Sequence, residues 1–369
     1  MKRKDAYALL DWYAENKRDL PWRHTKDAYR IWVSEIMLQQ TRVEAVKPYY
    51  HNFLEKYPDA AALAKADDEE LTRIWEGLGY YSRVRNMHKA AMEVVNYHGG
   101  FFPVSYEVLL TLPGIGAYTA GAVASIAGGE AVPAVDGNVL RVYSRLTAEE
   151  GEITDAKVSG RIRSELEDLM KQLFVGDASS KSTKEEDPTG YTPGDFNSAM
   201  MELGATVCLP NGEPKCELCP IKKACTAKKQ GNMTDYPKKA KKTARRIEER
   251  TVFILQSTEG IGLRKRPNKG LLAGMYELPA AEGHLSEKEA GKYIKELGYH
   301  PLRIKKAEDA KHIFSHIEWH MKAYYVLVDD ISDPAKKDEE NGIFFVSKKE
   351  REAGFALPSA FSAYKKYFS

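Results

Sequence analysis

Over residues 1 to about 173, apolar side chains recur at three- and four-residue spacing, as in DDEELTRIWEGLGYY (67–81) and RVRNMHKAAMEVVNYHG (83–99). That spacing predicts a succession of amphipathic helices with short breaks. The first twenty residues, MKRKDAYALLDWYAENKRDL, start basic but hold no continuous apolar run or small-residue cleavage site, so they read as a helix and not a signal peptide. The pattern stops at GDASSKSTKEEDPTGYTPGD (176–195), whose Ser, Lys, Asp, Gly and Pro content reads as a mobile surface loop, and helix is expected to resume at about Phe196. From Thr226 to Arg250 polar and basic residues dominate and periodicity disappears, which reads as a linker. Beyond it the period becomes two. TVFILQ, IGLRKR, MYELPA, IFSHIEWHMKAYYVLV and GIFFVS are expected strands, with one helix near SEKEAGKYIKELG and another at the C-terminus. An all-α first half followed by an α+β domain is the expected organisation.

Length supports that division, since 369 residues exceed the size at which a single core stops growing. Hydrophobic residues at 43% and charged residues at 29% are those of an ordinary soluble protein, and no stretch has the apolar length to span a bilayer. A cytoplasmic monomer is the expectation. A net charge of +2 neither announces nor excludes nucleic acid, because a phosphate-binding surface depends on local clusters of basic residues. Cysteine usage is more telling: Cys208, Cys216, Cys219 and Cys225 are the four in the chain, and all fall in one short window. Such clustering favours metal over disulfides.

Three stretches carry candidate chemistry. In RIWVSEIMLQQTRV, helical spacing sets Glu35 beside Ile31, Trp32 and Leu38, against an apolar stripe that would raise its pKa. A carboxylic acid kept protonated near neutrality can protonate a poor nitrogen leaving group, although a salt-bridged surface glutamate reads as readily from this stretch alone. In LPGIGAYTAGAVASIA, Pro113, Gly114 and Gly116 form a tight turn ahead of a helix whose first N–H groups can hold a phosphate. VPAVDGNVLRV follows, with Asp136 twenty residues after Gly116; alone, Asp-Gly is an ordinary turn. The cysteine spacing Cys-x7-Cys-x2-Cys-x5-Cys suits either a tetrahedral zinc or a cubane iron–sulfur cluster. Lys215, Lys222 and Lys223 beside it either approach phosphates or form a solvated basic face.

As an ordered set, SEIMLQQT, GLGYYSRVRN, LPGIGAYTA, VDGNVLRV and the four cysteines resemble the helix-hairpin-helix DNA glycosylases of the endonuclease III superfamily, most closely the adenine-specific MutY branch. The resemblance implies a six-helix barrel over 21–127, and a [4Fe–4S] domain made by residues 1–20 with 128–228. A basic interdomain linker over 229–248 and a MutT-like domain over 249–369 complete the organisation. It implies removal of adenine mispaired with 8-oxoguanine or guanine in duplex DNA, with the adenine flipped out of the stack. Glu35 would protonate adenine, Asp136 would stabilise or capture the oxocarbenium ion, and Tyr118 and Asn138 would support that step, following the two-carboxylate logic of retaining glycoside hydrolysis. Tyr118 stands where strand-cutting relatives carry a Schiff-base lysine, which implies a pure glycosylase. Trp22, Arg23 and Leu38 would line the adenine pocket with Glu35. Gln40, Thr41 and Tyr80 would meet the DNA near the lesion, and Gly114 and Gly116 its backbone.

In the second domain the resemblance rests on LLAGMYELP (271–279) and on FSH, which makes Phe314, Ser315 and His316 candidate contacts to 8-oxoguanine. The glutamate box of a magnesium-dependent Nudix hydrolase is missing from AAEGHLSEKEAGKYIKELGYH, so recognition and not hydrolysis is expected. Three departures stand out. Seven residues fill the first cysteine gap where the family has six, Tyr276 replaces a tryptophan, and Ser198 stands where the family has the Gln or Glu that helps read adenine. Competing readings are a glycosylase of the same fold for another lesion, a non-catalytic damage binder, and a zinc site.

Overall fold

The computed structural model describes residues 1–175, 190–240, 244–267, 269–329, 342–355 and 357–367. Most of the expected loop, 176–189, lies outside the described residues. The chain divides into two compact units, Met1–Ala66 with Arg85–Lys241, and Asp67–Val84 with Lys242–Ser369.

The helices are α1 (Arg3–Asn16), α2 (Ala28–Leu38), α3 (Val43–Lys56), α4 (Ala60–Ala64), α5 (Asp68–Ile74), α6 (Ser82–Tyr97), α7 (Tyr106–Leu109), α8 (Ala117–Ile126), α9 (Gly137–Thr147), α10 (Ala156–Phe174), α11 (Pro193–Thr206) and α12 (Thr226–Gln230). Short polar side chains cap several of them: Asp27 accepts the Arg30 N–H at the head of α2, and Asp136 accepts that of Val139 at the head of α9. One core gathers the apolar faces of α1, α9, α10 and α11 around Leu9, Leu10, Val139, Ile162, Met170, Phe196 and Leu203.

Two expectations are corrected here. Helix α11 begins at Pro193 and not at Phe196, because Thr192 and Asp195 form a reciprocal capping box and proline suits the first helical turn. The stretch Thr226–Arg250 is not unstructured throughout. It opens with α12 and closes inside strand β1 (Arg246–Gln256), where Arg246, Glu248 and Arg250 pair with one another on one face of a paired backbone.

After β1 come β2 (Ile261–Lys265), β3 (Tyr276–Glu277), β4 (Ala280–Glu282), α13 (Glu287–Glu296), β5 (Pro301–Lys306), β6 (Ala310–Ile313), β7 (Ile317–Val328), β8 (Ile343–Val346) and α14 (Lys348–Gly354). The helix expected towards the C-terminus is α14, and a 3-10 segment over Ser359–Tyr367 follows it. Among the described residues the strands form an eight-stranded mixed sheet in the order β3-β2-β1-β7-β5, with β4 on β1, β6 on β7 and β8 on β2. β1 and β7 run parallel from the Arg246–Ile317 pair to the Gln256–Leu327 pair, and the other pairings are antiparallel. Alternation explains the two cores. Val252 and Ile254 of β1 join Trp319, Met321 and Phe361 on one face, while Phe253 and Leu255 join Ala290 and Ile294 of α13 on the other. The run 313–328, expected as one strand, is broken by a tight turn in which the Phe314 N–H donates to the Ile317 carbonyl. That turn contains Phe314, Ser315 and His316. β5 was not anticipated: PLRIKK is short and mostly exposed, with little apolar alternation to signal it.

Candidate active site

The stripe anticipated around Glu35 is present. Ile31 and Trp32 are buried on α2, and Glu35 itself is only 6% exposed. Burial pushes its carboxyl up to about 7, the Tyr118 hydroxyl hydrogen-bonded to Oε2 works downward, Asp136 works upward, and Arg23 downward. Tyr118, on the first turn of α8, also reaches the Met201 sulfur at 3.4 Å.

Asp136 caps α9. Its Oδ1 accepts the Val139 N–H at 2.8 Å and its Oδ2 accepts the Asn138 side-chain amide at 2.7 Å. Burial raises its pKa, while those donors and Arg141 favour the ionised form. Asn138 is fixed in turn by Arg141, whose Nη2 donates to Asn138 Oδ1 and to the Gly204 carbonyl, each at 2.8 Å. Gly204 is required there, since a Cβ on α11 would lie 2.6 Å from Asn138 Cβ.

A cavity of about 890 Å³ opens over these groups. It is bordered by Glu35, Tyr118, Asp136 and Asn138, and also by Trp22, Arg23, Leu38, Gln40, Thr41 and Ser198, so ten residues singled out in the sequence converge on one space. Trp22 is buried edge-on to Tyr50, with ring centroids 5.5 Å apart. Gln40 has φ of +60°, in the left-handed region that non-glycine residues rarely adopt. Three further residues on the rim escaped sequence reasoning: Tyr13, Arg18 and Glu202. For Glu202 a signal existed, because it lies one helical turn after Ser198. Tyr13 and Arg18 carried none: they lie within ten residues of Trp22 and Arg23, but in and just after an amphipathic helix whose pattern shows only a packed face.

Gly114 and Gly116 sit on a turn outside that cavity. Gly114 has φ of +75°, and a Cβ there would lie 2.6 Å from Asn86 Cβ. Gly116 is in extended backbone at the head of α8, with open space where a Cβ would be. In the sheet-containing unit, Tyr80 also has a left-handed backbone, φ +48°, and is 49% exposed, with its hydroxyl 3.1 Å from Ser315 Oγ. Phe314 packs edge-on against Trp319, and the His316 carbonyl accepts the Arg246 N–H.

The four thiols border a second, small cavity. Arg145 Nη1 lies 3.3 Å from Cys208 Sγ, backbone N–H groups of Ile221 face Cys219, and those of Ala227 and Lys228 face Cys225. No three His, Cys, Asp or Glu side chains among the described residues converge tightly enough to hold one metal ion. The thiols are spread around a shared space ringed by donors. Lys222 is engaged by Glu217, both through its carbonyl at 2.8 Å and its carboxylate at 3.1 Å.

Residues 33–168 match the HhH-GPD superfamily of base excision DNA repair proteins, and residues 251–366 match the NUDIX domain. The chain is 36% identical to the adenine DNA glycosylase of Mus musculus, over 87% of this chain and 70% of that protein. It is 28% identical to the adenine DNA glycosylase of Buchnera aphidicola subsp. Acyrthosiphon pisum, over 95% of this chain and 94% of that one. Among solved structures, a thermostable thymine-DNA glycosylase superposes with a TM-score of 0.51 at 28% identity, over 62% of this chain and 97% of that one.

Proposed function

This chain belongs to the adenine DNA glycosylase family of base excision repair enzymes, and on that premise we propose that it excises adenine paired with 8-oxoguanine in duplex DNA, without cutting the strand. The observation that carries the chemistry is the meeting of a buried acid, Glu35, and a hydrogen-bonded carboxylate, Asp136, on one cavity.

The two carboxyls differ in environment. Glu35 is desolvated with one hydroxyl partner, so near neutral pH it retains a proton to deliver to the departing adenine at N7. Asp136 receives two hydrogen bonds at a helix N-terminus, which suits a negative charge facing the developing oxocarbenium ion. Tyr118 holds Glu35 and offers no amine for a Schiff base, in keeping with a hydrolytic glycosylase. Trp22, Arg23, Leu38 and Ser198 wall the space for the flipped base. Gln40 and Thr41 on the rim, with Gly114 and Gly116 on the turn, would meet the DNA. Recognition of 8-oxoguanine is assigned to Tyr80 and Ser315, with Phe314 and His316 beside them; the Tyr80–Ser315 contact supports that assignment.

Four cysteines around one cavity, with amide and guanidinium donors directed at the sulfurs of Cys208, Cys219 and Cys225, form a donor set suited to a [4Fe–4S] cluster, one thiolate per iron. When bound, such a cluster pins the loop 208–225; no step of base release passes through it.

The test is adenine release from a duplex carrying one A opposite 8-oxoguanine. Release is expected, with strand cleavage only after hot alkali, and its rate should fall as pH rises through about 7, where Glu35 loses its proton. Tight binding without release would favour a damage binder, and release of thymine or an oxidised pyrimidine instead would favour the alternative lesion.

A further inference from the structure

Glu202, on α11, is a carboxylate with almost no access to water, 1% exposed, beside a cavity that opens to solvent. Two arginines converge on it. Arg18 donates from Nε at 2.7 Å and Nη2 at 2.8 Å, with its backbone N–H at 3.1 Å, and Arg23 donates from Nη2 at 2.6 Å. The other guanidinium arm of Arg23, Nη1, donates to the Arg18 carbonyl at 2.9 Å, and its plane lies over the Tyr13 ring, 5.5 Å from the centroid. Arg23 is thus held at both arms, and Arg18, Arg23 and Glu202 together leave one positive charge on the cavity wall. A carboxylate binding two cations so closely is not required for packing; α11 would bury an apolar residue there at lower cost.

Of the charged groups at this wall, Arg23 acts on Glu35. Glu35 is faced by the Tyr118 hydroxyl from α8, by Asp136 at the head of α9, and by Arg23 from the 3-10 turn Pro21–Arg23. Tyr13, Lys17, Lys26 and Asp195 also border the cavity. We propose that Glu202 is a positioning residue that anchors the Arg23 guanidinium on the cavity wall and thereby limits the positive charge that reaches Glu35. Without that anchor, Arg23 keeps only its Nη1 bond to the Arg18 carbonyl and the Tyr13 ring beneath it, and its Nη2 arm, no longer neutralised, favours loss of the Glu35 proton. The inference rests on Glu35 acting as the general acid.

The experiment is the pH profile of single-turnover adenine release, measured on the full-length protein with the A:8-oxoguanine duplex, for wild type, Glu202→Gln, Arg18→Met and Arg23→Met. Glu202→Gln is expected to move the alkaline limb down by about one pH unit, a roughly tenfold slower rate above the limb. Arg18→Met leaves the Arg23–Glu202 pair intact and should not move the limb. Arg23→Met removes the cation and should move it upward; Glu202 keeps its paired contact with Arg18 in that variant, so the sign can be read even where Glu202→Gln fails to fold. An unmoved limb in Arg23→Met, or equal displacement in Glu202→Gln and Arg18→Met, would overturn the proposal. If wild type releases no adenine, the functional reading has failed instead.

Discussion

At Glu35, desolvation and hydrogen bonding act in opposite directions and desolvation dominates, so the proposed general acid costs stability once it is ionised. The folded protein holds its proton up to about pH 7, whereas the unfolded chain releases it at the ordinary 4.5. Between those values the folded state binds more protons, and stability falls as pH rises, levelling above 7. Glu35→Gln removes the titration while keeping an acceptor for Tyr118. At pH 8 the variant should be more stable than wild type by about 3 kcal/mol, a difference that vanishes below pH 4.5, while base release is abolished and DNA binding kept. Denaturant unfolding at the two pH values checks this; equal stability at pH 8 would mean that folding does not raise the Glu35 carboxyl above its ordinary value.

Helix α11 meets α8 and α9 at the site, and its small residues set how closely. Gly204 lets the first turn of α9 approach, and Arg141 then bridges the Gly204 carbonyl, Asn138 and the Cys208 carbonyl, the last at 2.9 Å. Alanine at 204 would gain about 1 kcal/mol of helix propensity but meet Asn138, an overpacking cost of about 1–3 kcal/mol. Gly204→Ala should therefore lose up to about 2 kcal/mol of stability. It should also slow base release on the order of tenfold, because the Asn138–Asp136 hydrogen bond shifts. Single-turnover rates and unfolding of the variant test this, and an unchanged rate would separate α11 packing from the chemistry. The capping box of α11 shows the other side of element formation. Thr192, Pro193 and Asp195 spell a helix start, yet the polar composition around them is that of the loop before it.

Across the molecule, the cysteine loop and Asp136 are joined through buried arginines: Arg141 reaches Cys208 and Asn138, which holds Asp136, and Arg145 reaches Cys208 Sγ, the Leu209 carbonyl and the carbonyls of Met233 and Tyr236. Loss of the loop's anchor should therefore loosen α9 as well. The purified protein is expected to be yellow-brown with four irons per chain. Cys219→Ser should lose that colour and lower the melting temperature of the helical unit. A colourless protein with stoichiometric zinc would overturn the cluster assignment and leave the fold argument intact.

What the sequence determined by itself was whatever depends on local spacing. The helical period placed Glu35 on an apolar stripe, the change to period two marked the second domain, and the motif order carried the resemblance that joined Glu35 to Asp136. Helical period sets the Glu35 carboxyl, four residues after Ile31 and three after Trp32, on the face those residues bury. Tertiary structure alone decided what depends on convergence of distant segments. The Glu202 carboxylate meets arginines 184 and 179 residues away, and the Tyr80 hydroxyl meets Ser315 across 235 residues. The turn at 314–316 interrupts a run of strand-forming residues because pairing partners, and not propensity, select where a strand ends. No pattern within a window carries such contacts, since each is specified by how the packed elements bring their ends together.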